Sequence, residues 1–551
     1  MLSCWKTGPI PACSPWNRTW SNAALYIIFI RKNKAGPGQR PSSCYRRVRF
    51  MNIISIDLGT TNIKVSVYDQ KLHPIATLSE TVQYDRDGDF VEFDCDMYFR
   101  SIEEMIRKAA GAGKDANAGD VVQIVLTGQA ESLILLGQDR QPIHPAISWM
   151  DMRSGGECAL LSGHFPADLC YHTTGQPELI PTWPITKMLW MREHRPDVFR
   201  ETAHYLLLKD YIIFRLCGRM AGDYSIYSFS HYFDIIRKCY WADILSFCGV
   251  SLSQLPELLP PCSIAGTLLP ELAHGNAGLT PDTKINVGTL DHFAGMIGTG
   301  NIQEGLVSES AGTVLSIAAM VRGPLFDDSR LPLNCGPFPG TYVLLPVCES
   351  GGFSLEWYRN TFLKDVSFSQ INQIIESRPD RVPPVFLPYL TGVNSPDFNE
   401  NASGVFFGLR ASHDQYDLAL AIMEGVACLL KKNLDYMAKS GIPISKIIST
   451  GGGAKSSLWT QIKSDITGQV IEVPENEEAP CLGAAIIGAV SEGFFPSYED
   501  AVRECISIKR RYEPSGHEKY RKTYEVFESV YDALAGAYRM DAVRRESGKK
   551  H

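Results

Sequence analysis

The chain has 551 residues, of which 44% are hydrophobic and 21% are charged. A chain of this length and apolar content can bury more than one core, which excludes intrinsic disorder and favours two substantial domains. Its formal net charge is −8, and because residues 1–50 hold nine Lys or Arg and no Asp or Glu, residues 51–551 carry −17. An acidic body gives no electrostatic footprint for nucleic acid, so we expect no such partner.

Cysteine usage and apolar runs indicate the compartment. The 15 cysteines are scattered, and none of them forms a CxxC pair. This usage is typical of reduced thiols in a cytoplasmic protein. The apolar run at residues 23–30 is too short to span a bilayer, so we expect no membrane anchor.

Residues 1–50 form a basic leader. An acid-free, Arg-bearing leader is compatible with an organelle transit peptide. Met51, however, opens directly into a strand pattern, so it could be the true start of the protein. We expect residues 1–50 to be a disordered leader and keep the transit peptide as the alternative.

From Asn52 onward the pattern predicts a β-hairpin, with apolar residues at 53–56 and 65–68 on either side of a tight turn. A helix is predicted over 96–110. A buried strand follows at 121–126 and ends in Thr127-Gly128-Gln129.

The same pattern returns near residue 284. A strand at 285–287 leads through a turn to a small-residue helix start at 294–298, and residues 306–317 read as strand, turn and strand. This repeat predicts a duplicated α/β fold with a nucleotide held between two lobes. Helices are then predicted over 416–440 and 482–492 and from residue 520, with a strand at 444–450.

Asp57 ends the first predicted strand and is followed by Gly59, Thr60 and Thr61, with Lys64 in the next strand. A carboxylate in this place can face a hydrated Mg²⁺ while the turn's amides and hydroxyls face phosphate. Taken alone, the motif fits an ordinary Asp-Gly hairpin with surface hydroxyls better.

Asp291 follows a predicted strand and precedes a helix. A carboxylate there can accept the proton of an attacking hydroxyl, as a kinase base does. The alternative is that Asp291 is the N-cap of that helix, and the two roles are compatible.

Glycines mark two further turns. Gly312-Thr313 lies in the turn of the second hairpin, and Gly451-Gly452-Gly453-Ala454 follows a buried strand. The latter run permits close approach of a flat ligand such as adenine, with a flexible turn as the alternative. A Walker A motif, which would place the phosphates elsewhere, is absent from the sequence.

Loops of the first predicted lobe carry mixed polar groups beside one aromatic ring, namely Gln129, Glu131, Trp149, Asp151 and Arg153. Such a set suits a polyhydroxylated ligand. Surface loops also carry these residue types routinely, so both interpretations stay open.

These signals occur in the order and spacing of a known family. Residues 184–194 resemble its first signature, departing at Thr182, and residues 404–424 fit its second signature. Residues 209–211, 223–225 and 451–459 with Asp465 are also similar to family sequence. From about residue 52 to about residue 498, the chain resembles the FGGY carbohydrate kinases.

The resemblance implies an α/β fold of two duplicated actin-like (ribonuclease H-like) ATPase lobes with an interlobe cleft. It implies ATP as phosphoryl donor, Mg²⁺ as metal, and Asp291 as the catalytic residue. We expect an acceptor-binding lobe at 51–296, a nucleotide-binding lobe at 297–500 and a helical tail at 501–551. By the same resemblance, Asp57 lies near the metal, Thr60 and Thr61 at the phosphates, Gly312 and Thr313 at the second phosphate loop, Gly452–Ala454 at the adenosine, and Gln129 and Glu131 at the acceptor.

The acceptor itself is open. The segment Thr127-Gly-Gln-Ala-Glu-Ser132 resembles the Asn-Gln-Arg-Glu-Thr of glycerol kinases, but Ala130 replaces the arginine. The Gln-Met-His usual in xylulose kinases is not present here. We expect a neutral pentulose, hexulose or polyol, and a homodimer is kept as one alternative for the oligomeric state.

Two rival functions remain at this point. One is an actin-like ATP-binding protein, which would lack an acceptor site and both sugar-kinase signatures. The other is a regulatory pseudokinase without sugar turnover, against which the intact Asp57, Asp291 and Gly312-Thr313 argue.

Overall fold

The computed structural model describes residues 50–548. The predictions for the leader at 1–50 therefore lie outside the described residues, apart from Phe50, which is exposed coil. Within the described part of the chain, no helix is both long enough and apolar enough to cross a membrane.

The first half of the described chain is rich in short strands. Its strands are β1 (Met51–Leu58), β2 (Asn62–Tyr68), β3 (Pro74–Thr81), β4 (Asp85–Asp87), β5 (Phe90–Phe93), β6 (Asp120–Gly128), β7 (Leu133–Leu136), β8 (Ala146–Ile147), β9 (His204–Leu207), β10 (Ala221–Asp223), β11 (Phe233–Asp234), β12 (Cys239–Tyr240), β13 (Glu257–Leu259), β14 (Ile264–Thr267) and β15 (Lys284–Leu290). Its helices are α1 (Cys95–Asn117), α2 (Gly155–His164), α3 (Ala167–Thr174), α4 (Pro184–His194), α5 (Pro196–Glu201), α6 (Leu208–Cys217), α7 (Tyr224–Tyr227), α8 (Ala242–Cys248), α9 (Pro270–Ala273) and α10 (Asp291–Gly298), with a 3₁₀ turn at Leu252–Gln254.

The second half has longer helices. Its strands are β16 (Leu306–Ala311), β17 (Leu315–Arg322), β18 (Leu333–Cys335), β19 (Thr341–Leu344), β20 (Val347–Cys348), β21 (Val385–Leu387), β22 (Val405–Phe407), β23 (Lys446–Thr450), β24 (Ile471–Pro474) and β25 (Ile508–Tyr512). Its helices are α11 (Gly352–Phe362), α12 (Phe368–Glu376), α13 (Gln415–Lys439), α14 (Ser457–Thr467), α15 (Ala479–Ser491), α16 (Tyr498–Cys505) and α17 (His517–Gly548), with a 3₁₀ turn at Gly452–Lys455.

The two main sheets share one topology. The first has the order β3-β2-β1-β6-β15-β14, and in it β1 is antiparallel to β2 and parallel to β6. The second has the order β18-β19-β17-β16-β23-β24-β25, and in it β16 is antiparallel to β17 and parallel to β23. The duplicated α/β fold predicted from the repeated strand–turn–strand pattern is confirmed.

Helices cover both faces of the first sheet. The central strands β1 and β6 are buried almost throughout, as is typical of strands with a parallel neighbour. Helix α1 packs on one face and α15 on the other. Helix α1 begins after Asp94, whose carboxylate accepts hydrogen bonds from the amides of Asp96 and Met97, the usual role of aspartate at an N-cap.

Helices α10 and α15 touch backbone to backbone. A Cβ added to Gly298 would lie 1.9 Å from the carbonyl oxygen of Ala479, and one added to Gly483 would lie 1.8 Å from that of Ala294. Only glycine permits so close an approach. Helix α15, from the second half of the chain, thus covers one face of the first sheet and packs against α10, which carries Asp291.

The predicted helical tail at 501–551 differs in part from the structure. Helix α17 is present, but β25 pairs antiparallel with β24 and extends the second sheet. Strand β25 reads Ile-Lys-Arg-Arg-Tyr and is exposed along most of its length. Its charged side chains hide the alternating apolar pattern from which a strand is predicted, as is common for edge strands.

Candidate active site

Three parallel strands of the first sheet end at the same edge, and the candidate residues lie at or just beyond these strand ends. Strands β1, β6 and β15 are parallel, and Asp57, Thr127 and Thr289 are register partners across them. Gln129 lies two residues beyond Thr127, and Asp291 lies two residues beyond Thr289. Asp57, Gln129 and Asp291, far apart in sequence, are therefore brought together at the carboxyl edge of the sheet.

Asp57 is half-buried, and its Oδ1 has no hydrogen-bond partner. Burial and, secondarily, the nearby Asp291 carboxylate raise the pKa of Asp57 to about 7, against the opposing effect of Lys64. Lys64 itself forms an ion pair with Glu478 at 2.5 Å. A buried carboxylate oxygen without a partner is costly, and a bound cation would satisfy it.

The surroundings of Asp57 fit Mg²⁺ rather than a metal held wholly by protein. Within residues 50–548, no group of three or more His, Cys, Asp or Glu side chains is placed to hold a metal ion. Mg²⁺ commonly uses one or two carboxylates and takes its other ligands from water and substrate phosphates. Asp57, an unpaired hard oxygen donor, meets that requirement.

Asp291 is the first residue of α10, is half-buried, and lines a cleft. Its Oδ1 accepts a hydrogen bond from the His292 amide at 2.6 Å. The N-cap is Leu290, which makes no side-chain cap, so the alternative role of Asp291 as N-cap is wrong by one residue. The side chain is left free to act at the cleft.

The cleft has a volume of about 380 Å³ and lies between the two halves of the fold. From the predicted set, its lining includes Thr60, Gln129, Glu131, Trp149 and Asp291. The second half contributes apolar residues such as Val314, Leu345 and Phe398. Four carboxylates and no Lys or Arg occur among the described residues that line it, the carboxylates being Glu131, Glu178, Asp291 and Glu349.

Two side chains after β6 have free polar atoms in this cleft. Ser132 Oγ donates to Gln129 Oε1 at 3.0 Å, which leaves Gln129 Nε2 buried without a partner. Glu131 Oε2 is also buried without a partner, and its backbone has φ 71°. Burial raises the pKa of Glu131 to about 7, with the charge of Lys187 acting against the rise. The Gln129 amide can donate a hydrogen bond to a sugar hydroxyl, and the Glu131 carboxyl oxygen can accept one.

Trp149 and Thr60 connect the loop after β8 to the first hairpin turn at the cleft. Trp149 Nε1 donates to Thr60 Oγ1 at 3.0 Å. Thr61, next in the turn, is exposed. A Cβ on Gly59 would lie 2.4 Å from the Asn62 carbonyl oxygen, so this turn can close only with glycine there.

Asp151 and Arg153 are the two predicted acceptor residues that the structure places elsewhere. Arg153 Nη2 donates to Glu92 at 2.6 Å and to Asp151 at 2.7 Å, and the guanidinium lies over the rings of Phe90 and Trp190. Neither Asp151 nor Arg153 is among the residues lining the cleft. Arg153 forms ion pairs with both Asp151 and Glu92, so this placement does not support direct contact of Asp151 or Arg153 with an acceptor.

The second sheet presents a matching edge. Ser310 of β16 is the register partner of Thr450 of β23, and each strand then runs into a glycine turn. In the turn after β16, Thr313 O accepts hydrogen bonds from the amides of Gly351 and Phe353, both at 3.1 Å. A Cβ on Gly312 would meet no atom within 4 Å, so the turn is open for a ligand.

The turn after β23 brings backbone close to backbone. Gly451 has φ 75°, a left-handed conformation that favours glycine, and a Cβ there would lie 3.0 Å from Ser310 Oγ. A Cβ on Gly453 would lie 2.8 Å from the Cβ of Ala311. Gly452 and the buried Ala454 complete the 3₁₀ turn. Gly451 and Gly452 are exposed and present backbone without side chains.

Family models decide the identity of this arrangement. The model described as the FGGY family of carbohydrate kinases, N-terminal domain, matches residues 52–298. The model of the C-terminal domain of the same family matches residues 317–492.

The chain belongs to the FGGY family of carbohydrate kinases.

Individual relatives of this FGGY kinase agree. It is 29% identical over 485 residues to the xylulose kinase of Bacillus subtilis, covering 87% of this chain and 96% of the relative. It is 26% identical over 501 residues to the gluconokinase of Bacillus licheniformis, covering 88% and 96%. The crystal structure of ligand-bound xylulose kinase from Lactobacillus acidophilus matches with a TM-score of 0.82 at 25% identity, covering 89% of this chain and 99% of that one. The rival considered above, an actin-like ATP-binding protein without the sugar-kinase signatures, is thereby excluded.

Several cleft residues of this FGGY kinase were not predicted from the sequence. They come from segments between the motifs and include Glu178, Trp183, Phe229, Glu349 and Asn394. Trp183 directly precedes Pro184, the first residue of α4, and this proline marks the helix start in the sequence. The remaining four lie on irregular backbone and carry no local sequence signal.

Proposed function

We propose that this FGGY kinase transfers the γ-phosphoryl group of ATP to a hydroxyl of a small neutral sugar or polyol, with Asp291 as general base and Mg²⁺ beside Asp57. The observation that carries the proposal is the shared sheet edge, where the Asp57 and Asp291 carboxylates lie near unpaired polar atoms of Gln129 and Glu131. Phosphoryl transfer needs a metal, a base and positioned acceptor contacts in one place.

In this proposal the two halves divide the substrates. Residues 51–296 form the acceptor lobe and residues 297–500 the nucleotide lobe, with 501–551 as a C-terminal segment added to the latter. The family-model boundaries at 298 and 317 and the separate sheets support that division. A cytoplasmic location and a homodimer remain predictions from the sequence.

Each group has one task in the proposed reaction. Gln129 Nε2 and Glu131 Oε2 hold acceptor hydroxyls, and Asp291 orients one hydroxyl and accepts its proton. Thr60, Thr61 and the open turn at 312–313 face the phosphates, and residues 451–454 face the adenosine. Mg²⁺ at Asp57 would neutralise charge on the phosphate oxygens. Because the transition state is loose, positioning and charge stabilisation supply most of the acceleration.

The charge of the cleft favours a neutral acceptor. Relatives are named xylulose kinase and gluconokinase, and these names imply a neutral ketose and an anionic aldonate respectively. The described lining holds four carboxylates and no Lys or Arg, so a sugar carboxylate would find no fixed positive partner. Burying an unpaired carboxylate beside like charges is strongly unfavourable. A ketose or polyol therefore fits this cleft better than gluconate does.

A coupled assay of ADP release across an acceptor panel tests the proposal. The panel contains xylulose, ribulose, fructose, xylitol, glycerol and gluconate. We expect turnover with at least one neutral acceptor and none above background with gluconate. Gluconate as the best acceptor would contradict the assigned acceptor class.

The role of Asp291 is tested in the same assay with Asp291→Asn. Loss of a general base typically lowers kcat by about 10²–10⁴-fold, and we expect a loss in this range. The matched control is Asp243→Asn, which alters an exposed aspartate in the first turn of α8. Retention of more than a tenth of wild-type turnover by Asp291→Asn would rule out the base assignment.

A further inference from the structure

The peptide that joins Thr289 to Leu290 immediately precedes Asp291, and the strand that carries it is irregular. Gly288 has φ 58°, and a Cβ there would lie 1.8 Å from the carbonyl oxygen of Leu126. The pairing register of β15 with β6 shifts just before Thr289. The strand is therefore irregular at residues 287 and 288, three to four residues before the proposed base, and such irregularities re-aim the side chains that follow.

Two side-chain hydroxyls hold the two ends of this single peptide unit. Thr127 Oγ1 donates to the carbonyl oxygen of Thr289 at 2.9 Å. The amide of Leu290 donates to Ser225 Oγ at 3.0 Å. Both hydroxyl residues are fully buried. The peptide plane is thus fixed from opposite sides by groups that belong to other strands and helices.

Ser225 is itself held rigidly. Its Oγ donates to Asp223 Oδ1 and also accepts from Thr289 Oγ1 at 2.9 Å. With the Leu290 amide, every hydrogen-bonding position of this hydroxyl is used. Asp223 forms an ion pair with Lys209 at 2.5 Å, and both side chains are fully buried. Removal of either partner would leave a buried charge without its counter-ion, which is strongly unfavourable.

Helix α10 does not fix its own first residue. Its N-cap Leu290 has no side chain able to cap, and Asp291 bonds only to the amide of the adjacent residue among the described contacts of its side chain. Packing on α15 holds the body of α10, and the peptide before Asp291 fixes the start of the helix and thus the direction of the carboxylate. The neighbouring hydroxyls perform the task that a capping side chain performs elsewhere.

We propose that Ser225 and Thr127 are positioning residues, which clamp the Thr289–Leu290 peptide and so aim the Asp291 carboxylate at the acceptor hydroxyl. This inference rests on the proposed role of Asp291 as base. The Lys209–Asp223 pair acts one step further back by holding Ser225. None of these four residues lines the cleft, so their effect on the reaction is indirect.

A purely structural role would give a different kinetic result. Misplacement of a catalytic group by about 1 Å costs about 10²-fold in rate. Such a loss appears in kcat, and it vanishes when the misplaced group has already been removed. A general loosening of the fold would instead lower activity to the same extent with or without the Asp291 carboxylate.

The test uses the full-length kinase with Ser225→Ala and Thr127→Val, each made alone and with Asp291→Asn. We expect each single variant to lower kcat about 10- to 100-fold with the KM for ATP and for the acceptor changed less than about threefold. In the Asp291→Asn background, the same changes should alter kcat by less than about threefold. The matched control is Ser228→Ala, whose buried hydroxyl donates to Tyr224 O at 2.8 Å and accepts from the Cys335 amide at 3.0 Å. It should keep wild-type kcat.

Several results would overturn the inference. Wild-type kcat in both variants would do so, as would a rise in KM at constant kcat, or an equal loss in the two backgrounds. If Ser225→Ala does not fold, Thr127→Val carries the test alone, because it removes one hydrogen bond at nearly constant volume. If Asp291→Asn is too slow to measure, the division between kcat and KM decides.

The same experiment separates this inference from the proposed function. High activity of Asp291→Asn removes the base assignment itself. An inactive Asp291→Asn together with fully active Ser225→Ala and Thr127→Val leaves the base in place and removes only the clamp.

Discussion

The two hairpin turns at residues 57–61 and 310–313 occupy equivalent places in the two sheets but differ in chemistry. Asp57 and Ser310 are equivalent, since their register partners Thr127 and Thr450 lie at the carboxyl ends of the matching parallel strands. Only the first turn carries a carboxylate. The duplication thus supplies a symmetric frame, and the exchange of Ser310 for Asp57 at the equivalent position confines the candidate metal ligand to the first sheet.

The loops after β6 and β23 differ in the same direction. Thr127-Gly128 is followed by Gln129 and Glu131, whereas Thr450-Gly451 is followed by two glycines and Ala454. The first loop presents unpaired polar atoms and the second a bare backbone. In the proposed function, the first loop hydrogen-bonds the sugar or polyol and the second lets the adenosine approach. Paired variants at equivalent positions can break or sharpen this contrast.

The largest effect is expected from the carboxylate. Asp57→Asn removes the charge that would hold Mg²⁺, and we expect kcat/KM for ATP to fall about 10²–10³-fold, as for loss of an electrostatic group at the reacting centre. The equivalent change Ser310→Ala should stay within about threefold of wild type. Steady-state kinetics over a range of Mg²⁺ concentrations measures both. Equal losses in the two variants would mean that the turns are functionally symmetric.

A smaller effect is expected from the two turn glycines. Gly59→Ala places a Cβ 2.4 Å from a carbonyl oxygen, whereas Gly312→Ala meets open space. Overpacking of this kind costs about 1–3 kcal/mol in the free energy of unfolding, and we expect that loss for Gly59→Ala only. Gly312→Ala should have the same free energy of unfolding as wild type and should change only the KM for ATP. Urea denaturation compares them, and a destabilised Gly312→Ala would contradict this distinction.

The smallest effect concerns pH and the loop after β6. The pKa of Glu131 is raised from its ordinary 4.5 to about 7 by burial, with Lys187 opposing the rise. The folded protein therefore holds this proton more tightly than the unfolded chain does, and the stability gained is complete below pH 4.5 and lost as pH rises through about 7. The Tm of wild type relative to Glu131→Gln should thus fall between pH 5 and pH 8. A constant difference in calorimetry would mean that Glu131 is ionised throughout that range.

The sequence predicted the position of a candidate residue best where that residue lies at the end of a buried strand. Asp57 and Asp291 could be found because alternation of strand and turn indicates the sheet edge on which they lie. Asp151 and Arg153 were predicted to contact the acceptor, but neither lines the cleft. No local sequence pattern indicates that Glu92 and the Phe90 ring contact the Arg153 guanidinium.

Long-range partners explain the other omissions. Ser225 and Thr127 gain their importance from a peptide 65 and 162 residues away along the chain. Strand β25 gains its conformation from pairing with β24, against a charged sequence. Tertiary contacts of this kind override local preference, and one-dimensional patterns do not encode them.

Helix α15 makes the two halves inseparable as folding units. It lies within the C-terminal family match, yet its Ile486 and Ile487 share a buried cluster with Ile53 and Val125 of the first sheet. A fragment ending at residue 298 would expose the apolar face of the first sheet to water. The remaining fragment would expose the apolar face of α15, and exposed apolar surfaces of this kind favour aggregation. During synthesis, almost 200 residues must follow β15 before α15 emerges and can cover the second face of the first sheet.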